Sequence, residues 1–266
     1  MTVETPTAAR AARDLPAGMS PAGMSPEEWD ARVRLAACYR IFDHLGWTEL
    51  IYNHISLRLP GPETQLLINP FGLLYREVTA SNLVKVDLEG NALSHSDWPV
   101  NRAGIIIHTA VHAARPDVHA VMHTHTTAGS AVAGLDSGLD PNNFYSALIG
   151  DQVAYHEFEG ITLERGEQER LVASLGSRPL LILRNHGLLA CGPTLPVAFG
   201  WMWTIERACE IQVATCAAGA ARRISEEARR RSGAVMAYGM DQPGAGADVF
   251  NALWRQVDAI DPSYRS

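Results

Sequence analysis

Val118-His119-Ala120-Val121-Met122-His123-Thr124-His125 is the stretch on which the reading of this chain turns. A run of strand character ends in two histidines one residue apart. Side chains two apart along a strand point to the same face, so a buried strand delivers His123 and His125 side by side at its end. That is how a chelate for a divalent metal begins. A polar ring at a buried strand end needs a partner, and two such rings repel each other when both are protonated. One shared cation answers both demands. A lone histidine is more often a satisfied core or surface residue, and His44, His95, His112 and His119 are read that way.

Working outward, a second apolar run, Pro179-Leu180-Leu181-Ile182-Leu183, ends in Arg184-Asn185-His186-Gly187 and offers His186 as a third ligand. Three nitrogen ligands with an open position are the pattern of a catalytic site rather than a closed structural one. Between the two runs, Leu163 to Leu175 reads as a helix, and Thr127 to Gly134 as another. Short strands are expected at His54 to Leu59, Gln65 to Asn69 and Leu83 to Leu88, with a helix over Ala103 to Ala114. Ser25-Pro26-Glu27-Glu28 is a helix start, with Ser25 as cap, Pro26 at the first helical position and Glu28 closing a capping box. That helix stops at Gly46. Thr194-Leu195-Pro196 opens a long helix to about Ala218, with Val197, Trp201, Ile205, Cys209 and Val213 on its core face. Helices interleaved with short strands predict one α/β domain, helices against a sheet.

The boundaries expected are a disordered leader over 1–24, a main domain over 25–235, and a C-terminal extension over 236–266 carrying a short amphipathic helix around Phe250, Leu253 and Val257. The leader repeats Pro-Ala-Gly-Met-Ser at 16–20 and 21–25. Small residues, Pro and Gly bury too little area to offset ordering entropy.

Composition narrows the function classes. Twenty-two Lys and Arg against 29 Asp and Glu give a net charge of −7, with no basic block. This argues against nucleic acid or an anionic membrane as partner and for a small-molecule substrate. No apolar run approaches the ~18 residues a membrane span needs. Cys38, Cys191, Cys209 and Cys216 lack CxxC spacing and read as reduced thiols, so the expected address is the cytoplasm.

His54-Ile55-Ser56-Leu57-Arg58, the loop Ile68-Asn69-Pro70-Phe71-Gly72-Leu73-Leu74-Tyr75, His108 with Ala114-Arg115-Pro116-Asp117, the His123/His125 pair and Arg184-Asn185-His186-Gly187 resemble, in that order, the class II aldolase/adducin family, and its adducin-like branch most. The resemblance covers about Trp29 to Ala218. It implies a central, mainly antiparallel sheet flanked by helices and a homotetramer with sites between subunits. It also implies that His123, His125 and His186 hold the metal, Zn(2+) first, with Fe(2+) or Mn(2+) as alternatives.

Departures from the family pattern point to the substrate. Family aldolases carry an acid/base Glu four residues before the helix histidine that matches His108; here that position is Gly104. The positions matching the family's phosphate donors are His54, Phe71-Gly72 and Arg102-Ala103. An unphosphorylated substrate is therefore expected, its carboxylate met by Arg102 and His54 and its apolar or aromatic body by Phe71. Arg102 as a solvated surface charge is the alternative. Tyr145 falls where family aldolases send a proton-donating Tyr into a neighbouring subunit, with packing as its alternative; Asp151 and Tyr155-His156-Glu157 are further polar candidates. The expected function is a metal-dependent carbon–carbon lyase, of decarboxylase or aldolase type. A non-haem Fe(II) oxygenase on the same three histidines and a non-catalytic adducin-like assembly module are the alternatives.

Overall fold

The computed structural model describes residues 23–61, 63–160 and 165–266. Most of the leader read as disordered, 1–22, lies outside them, as do Leu163 and Glu164 of the expected helix. The elements in chain order are α1 (Pro26–Leu45), β1 (His54–Arg58), β2 (Leu66–Ile68), β3 (Val84–Val86), α2 (Arg102–Ala114), β4 (Ala120–Thr124), α3 (Thr127–Ala133), α4 (Phe144–Ile149), β5 (Val153–His156), α5 (Arg165–Leu175), β6 (Leu180–Leu183), β7 (Gly187–Gly192), α6 (Leu195–Ala218), α7 (Glu226–Met240) and α8 (Ala247–Ile260).

The strands form one sheet in the order β3-β2-β1-β4-β7-β6-β5. Every pairing is antiparallel except β5 with β6. The expected sheet is therefore the observed one, and the histidine strand β4 lies at its centre. Alternation sorts the side chains of β4, β6 and β7 between two cores. Ala120, Met122, Leu180, Ile182, Leu188 and Ala190 join α1 and α6 on one face. Val121, Leu181, Leu183, Leu189 and Cys191 meet α2 and α5 on the other. Because both faces are covered, these strands are apolar runs rather than alternating with polar residues, up to His123 and Thr124 at the end of β4.

Helix α1 begins as expected: Ser25 Oγ accepts from the Glu28 amide at 3.1 Å. Glu28 does not serve the capping box, because its carboxylate accepts from Arg32 and Lys85 instead. Arg32, fully buried, also donates to the Ala80 and Leu83 carbonyls, which fastens α1 to the loop before β3. The core face read for α6 holds for Val197, Trp201, Ile205 and Cys209, whereas Val213 is 40% exposed as the helix runs out past the sheet.

The domain boundary expected at 235 falls inside α7. Beyond it, α8 folds back on the main body: Phe250, Val257 and Tyr264 are buried in the same core as Phe42 and Phe199. Phe250 lies edge-on to Phe199 at 5.8 Å, and Phe199 touches Phe42 at 6.2 Å. Burying such rings stabilises the fold by about 2–3 kcal/mol each. Strand β5 and helix α4 were not anticipated by the sequence reading.

Candidate metal centre

His123 is the penultimate residue of β4 and His125 lies one step past its end. The alternation that puts Ala120 and Met122 toward α6 turns His123 toward α2. His186 comes from the turn between β6 and β7, which the sheet brings against β4. Gly187 makes this approach possible: a Cβ there would lie 2.2 Å from the Thr124 carbonyl oxygen. The turn is pinned by α3, with Ser130 Oγ donating to the His186 carbonyl at 3.0 Å and the Asn185 amide donating to Ala133 at 3.1 Å. Asn185 takes a left-handed conformation, φ 53°, which Asn tolerates better than branched residues.

The three rings converge on one point. Nε2 of His123 is 2.7 Å from Nε2 of His125 and 3.3 Å from that of His186, and the last two are 2.9 Å apart. Tetrahedral zinc with bonds of about 2.0–2.1 Å places its nitrogens roughly 3.3 Å apart, so this donor set fits a divalent cation after small adjustment. His123 Nδ1 lies 2.8 Å from the Leu188 carbonyl. A carbonyl only accepts, so Nδ1 carries the hydrogen and Nε2 offers its lone pair to the centre. Burial lowers the pKa of all three rings, joined at His123 and His186 by repulsion from the neighbouring imidazoles; His186 is brought to about 4. They are thus neutral, the form a metal binds.

Glu206, on α6, holds this stretch from behind. It is fully buried and accepts from Thr124 Oγ1 at 2.5 Å and Thr126 Oγ1 at 2.6 Å, one on each side of His125. Thr126 in turn caps α3 by accepting from the Gly129 amide. Burial raises the Glu206 carboxyl to about 7, against the two threonine bonds, which lower it. Sequence reading missed this residue, since its link to β4 spans 82 positions.

A cavity of about 550 Å³ opens over the three histidines. Tyr52, Phe71, Ile107 and Phe158 supply its apolar wall, and His54, Asn101 and Asn185 its other polar groups. Among the described residues, no Lys, Arg, Asp or Glu lines it. The predicted substrate residues separate. His54 and Phe71 face the cavity. Gly72 is exposed beside Phe71, and a Cβ there would lie 3.1 Å from the Trp98 ring. Arg102 is exposed and borders a neighbouring groove with Gly90 and Gln168, while Asn101 and Ala103 on either side of it line the cavity. Tyr145 packs against the core beneath Arg207, whose guanidinium sits 5.9 Å from the ring centre, and does not line the cavity of its own chain. Of the weaker candidates, Tyr155 lies under Arg184 at 4.4 Å and accepts from the Leu139 amide, His156 is buried against Ser174, and Asp151 is exposed. At Gly104 there is no room for any side chain, because the His54 ring fills the place.

A mainly antiparallel sheet between helices, gathering three histidine nitrogens beneath an open cavity, defines an α/β protein with a metal-binding type of site. The chain belongs to the class II aldolase/adducin family: the family model for the class II aldolase and adducin N-terminal domain matches residues 33–213. It is 44% identical over 247 residues to an aldolase class 2 protein of Caulobacter vibrioides, covering 91% of this chain and 94% of that one. It is 42% identical to mouse alpha-adducin over 86% of this chain, but that match spans 33% of the adducin. A crystal structure of an aldolase II superfamily protein from Pseudomonas syringae superposes with a TM-score of 0.86 at 43% identity, covering 91% of this chain and 98% of that one.

Proposed function

We propose that this protein is a metal-dependent carbon–carbon lyase acting on an unphosphorylated, carboxylate-bearing substrate with an apolar or aromatic body. The observation that carries the reading is the convergence of the His123, His125 and His186 Nε2 atoms, 2.7–3.3 Å apart, at the floor of an otherwise uncharged cavity. A phosphate dianion would meet no basic side chain there, whereas a single carboxylate can be neutralised by the cation. When bound, that cation, Zn(2+) first and Fe(2+) or Mn(2+) as alternatives, supplies Lewis-acid polarisation of a substrate oxygen.

The chain's own residues orient and exclude. Phe71 and Phe158 shield the substrate body from water, and His54 contacts its polar end. Gly104 offers no carboxylate to carry a proton, which favours decarboxylation over aldol cleavage. In that reaction the carbon–carboxylate bond breaks, carbon dioxide leaves, and the electron pair is taken up by an adjacent substrate carbonyl as an enolate, whose carbon is then protonated by water. Tyr145 enters this scheme as a proton donor toward a neighbouring subunit of a homotetramer, since it is remote from its own cavity. Arg102 fits better as a solvated charge. The buried free thiols of Cys38, Cys191 and Cys209 accord with a cytoplasmic setting.

The reading is tested by screening hydroxy- and oxo-carboxylic acids with anaerobically purified protein, with and without oxygen. Turnover that continues without oxygen and stops on metal removal is expected. Turnover that requires oxygen assigns the oxygenase instead. A protein inert toward all the acids and free of stoichiometric metal belongs with an adducin-like assembly role.

A further inference from the structure

Behind His54 a line of buried polar side chains runs away from the cavity, and the lyase reading gives it no task. His54 Nδ1 lies 2.8 Å from His108 Nε2, and His108 Nδ1 lies 2.6 Å from Ser56 Oγ. Ser56 Oγ lies 2.8 Å from His112 Nε2, and His112 Nδ1 lies 3.3 Å from the Val118 carbonyl oxygen. All four side chains are buried.

The carbonyl at the far end sets the direction of every bond. It can only accept, so His112 Nδ1 carries the hydrogen. Burial keeps His112 neutral, hence its Nε2 is bare and accepts from the Ser56 hydroxyl. With its one hydrogen engaged, Ser56 Oγ can only accept, and His108 Nδ1 donates to it. Neutral His108 then has a bare Nε2, which accepts from His54 Nδ1. His54 carries no second proton, because it is buried and, among the described residues, no Asp or Glu lines the cavity to pair the charge. Its Nε2 ends the line as a lone pair, beside Gly104 in the wall of the cavity. The ring is stacked on His123 with centres 5.2 Å apart, so this acceptor stands next to the cation centre.

We infer that the Val118 carbonyl, acting through His112, Ser56 and His108, fixes His54 as a hydrogen-bond acceptor toward the cavity and makes the site specific for 2-hydroxy acids over 2-oxo acids. A hydroxyl on the carbon beside a cation-held carboxylate donates to Nε2. A ketone in that place leaves a desolvated acceptor unpaired, which is costly. The specificity rests on the lyase reading for its carboxylate; the tautomer does not. Ser56, His108 and His112 are positioning residues, and His54 determines specificity.

Histidine-¹⁵N-labelled full-length protein, with and without zinc, reports the tautomers directly in a two-bond ¹H–¹⁵N correlation spectrum. His54, His108 and His112 should all carry their hydrogen on Nδ1, with His54→Gln assigning the first. A hydrogen on His54 Nε2 in the zinc-free protein overturns the inference. In zinc-loaded protein, tryptophan fluorescence titrations with mandelate and benzoylformate should show the hydroxy acid bound about tenfold more tightly. Ser56→Ala, which frees His108 to turn over, should erase that preference while zinc stays bound. Equal binding of the two acids by the unsubstituted protein sinks the specificity. Binding of neither acid, with zinc held and tautomers as expected, sinks the carboxylate reading and the specificity with it, but leaves the fixed tautomer standing.

Discussion

The imidazole of His54 occupies the space that a side chain at position 104 would take: a Cβ built on Gly104 lies 2.2 Å from His54 Nε2 and 2.2 Å from its Cδ2. The two positions are therefore coupled. Gly104→Ala should destabilise the fold by about 1–3 kcal/mol through overpacking and push His54 off its bond to His108. In a His54→Ala background the same substitution should cost little. Urea unfolding of the two single variants and the double variant measures the coupling, and strict additivity would contradict the contact.

Gly187 has a harder constraint, because its missing Cβ would meet backbone, the Thr124 carbonyl oxygen at 2.2 Å. Gly187→Ala must part β7 from β4 and carry His186 away from His123. A loss above about 3 kcal/mol is expected, with a matching loss of zinc affinity. Thermal melts and zinc titration of the same preparation read both. An alanine variant that keeps its melting temperature and its zinc would show that the strands are not this close.

Glu206 gives the stability an unusual pH dependence. Its carboxyl is raised in the fold to about 7 from an ordinary 4.5, so the protonated form is the one the fold favours. The stability this contributes is fully present below about pH 4.5 and is lost as pH rises through about 7. Glu206→Gln, neutral at every pH, should therefore gain on the parent protein by up to about 3 kcal/mol between those limits. Urea melts of both proteins across that range test it; a difference that does not change with pH would contradict the assignment.

The three ligand rings are already neutral, with His186 lowered to about 4. Zinc binding near about pH 7 should displace no proton from them, and affinity should weaken as pH falls toward about 4, where His186 takes up its proton. Calorimetry in two buffers of different ionisation enthalpy counts the protons released. Release of a proton per ring would mean that the histidines are charged in the free protein.

What could be read in the sequence was what local periodicity encodes. Strand alternation placed His123 and His125 on one face, and the end of a second apolar run offered His186; that this turn lies against the end of β4 is set by the strand pairing, which the sequence does not display. The hydrogen-bonded line from His54 was not legible, because Ser56 meets His108 and His112 across 52 and 56 residues and two different elements. Arg102 illustrates how fine the margin is: at the first turn of α2, one residue of register decides that Asn101 and Ala103 line the cavity and Arg102 borders the next groove. Helix α4 spans six residues, too few to show a period, and β5 is a four-residue edge strand containing Tyr155 and His156. Neither carries the apolar run that identified β4 and β6.

The account rests on one cation held by His123, His125 and His186. Elemental analysis of protein purified without chelator, beside His123→Ala prepared identically, tests this most directly. About one divalent ion per chain in the first and essentially none in a folded second is the predicted result. A folded, unsubstituted protein that contains no stoichiometric metal and takes up none from added zinc, iron or manganese would contradict it.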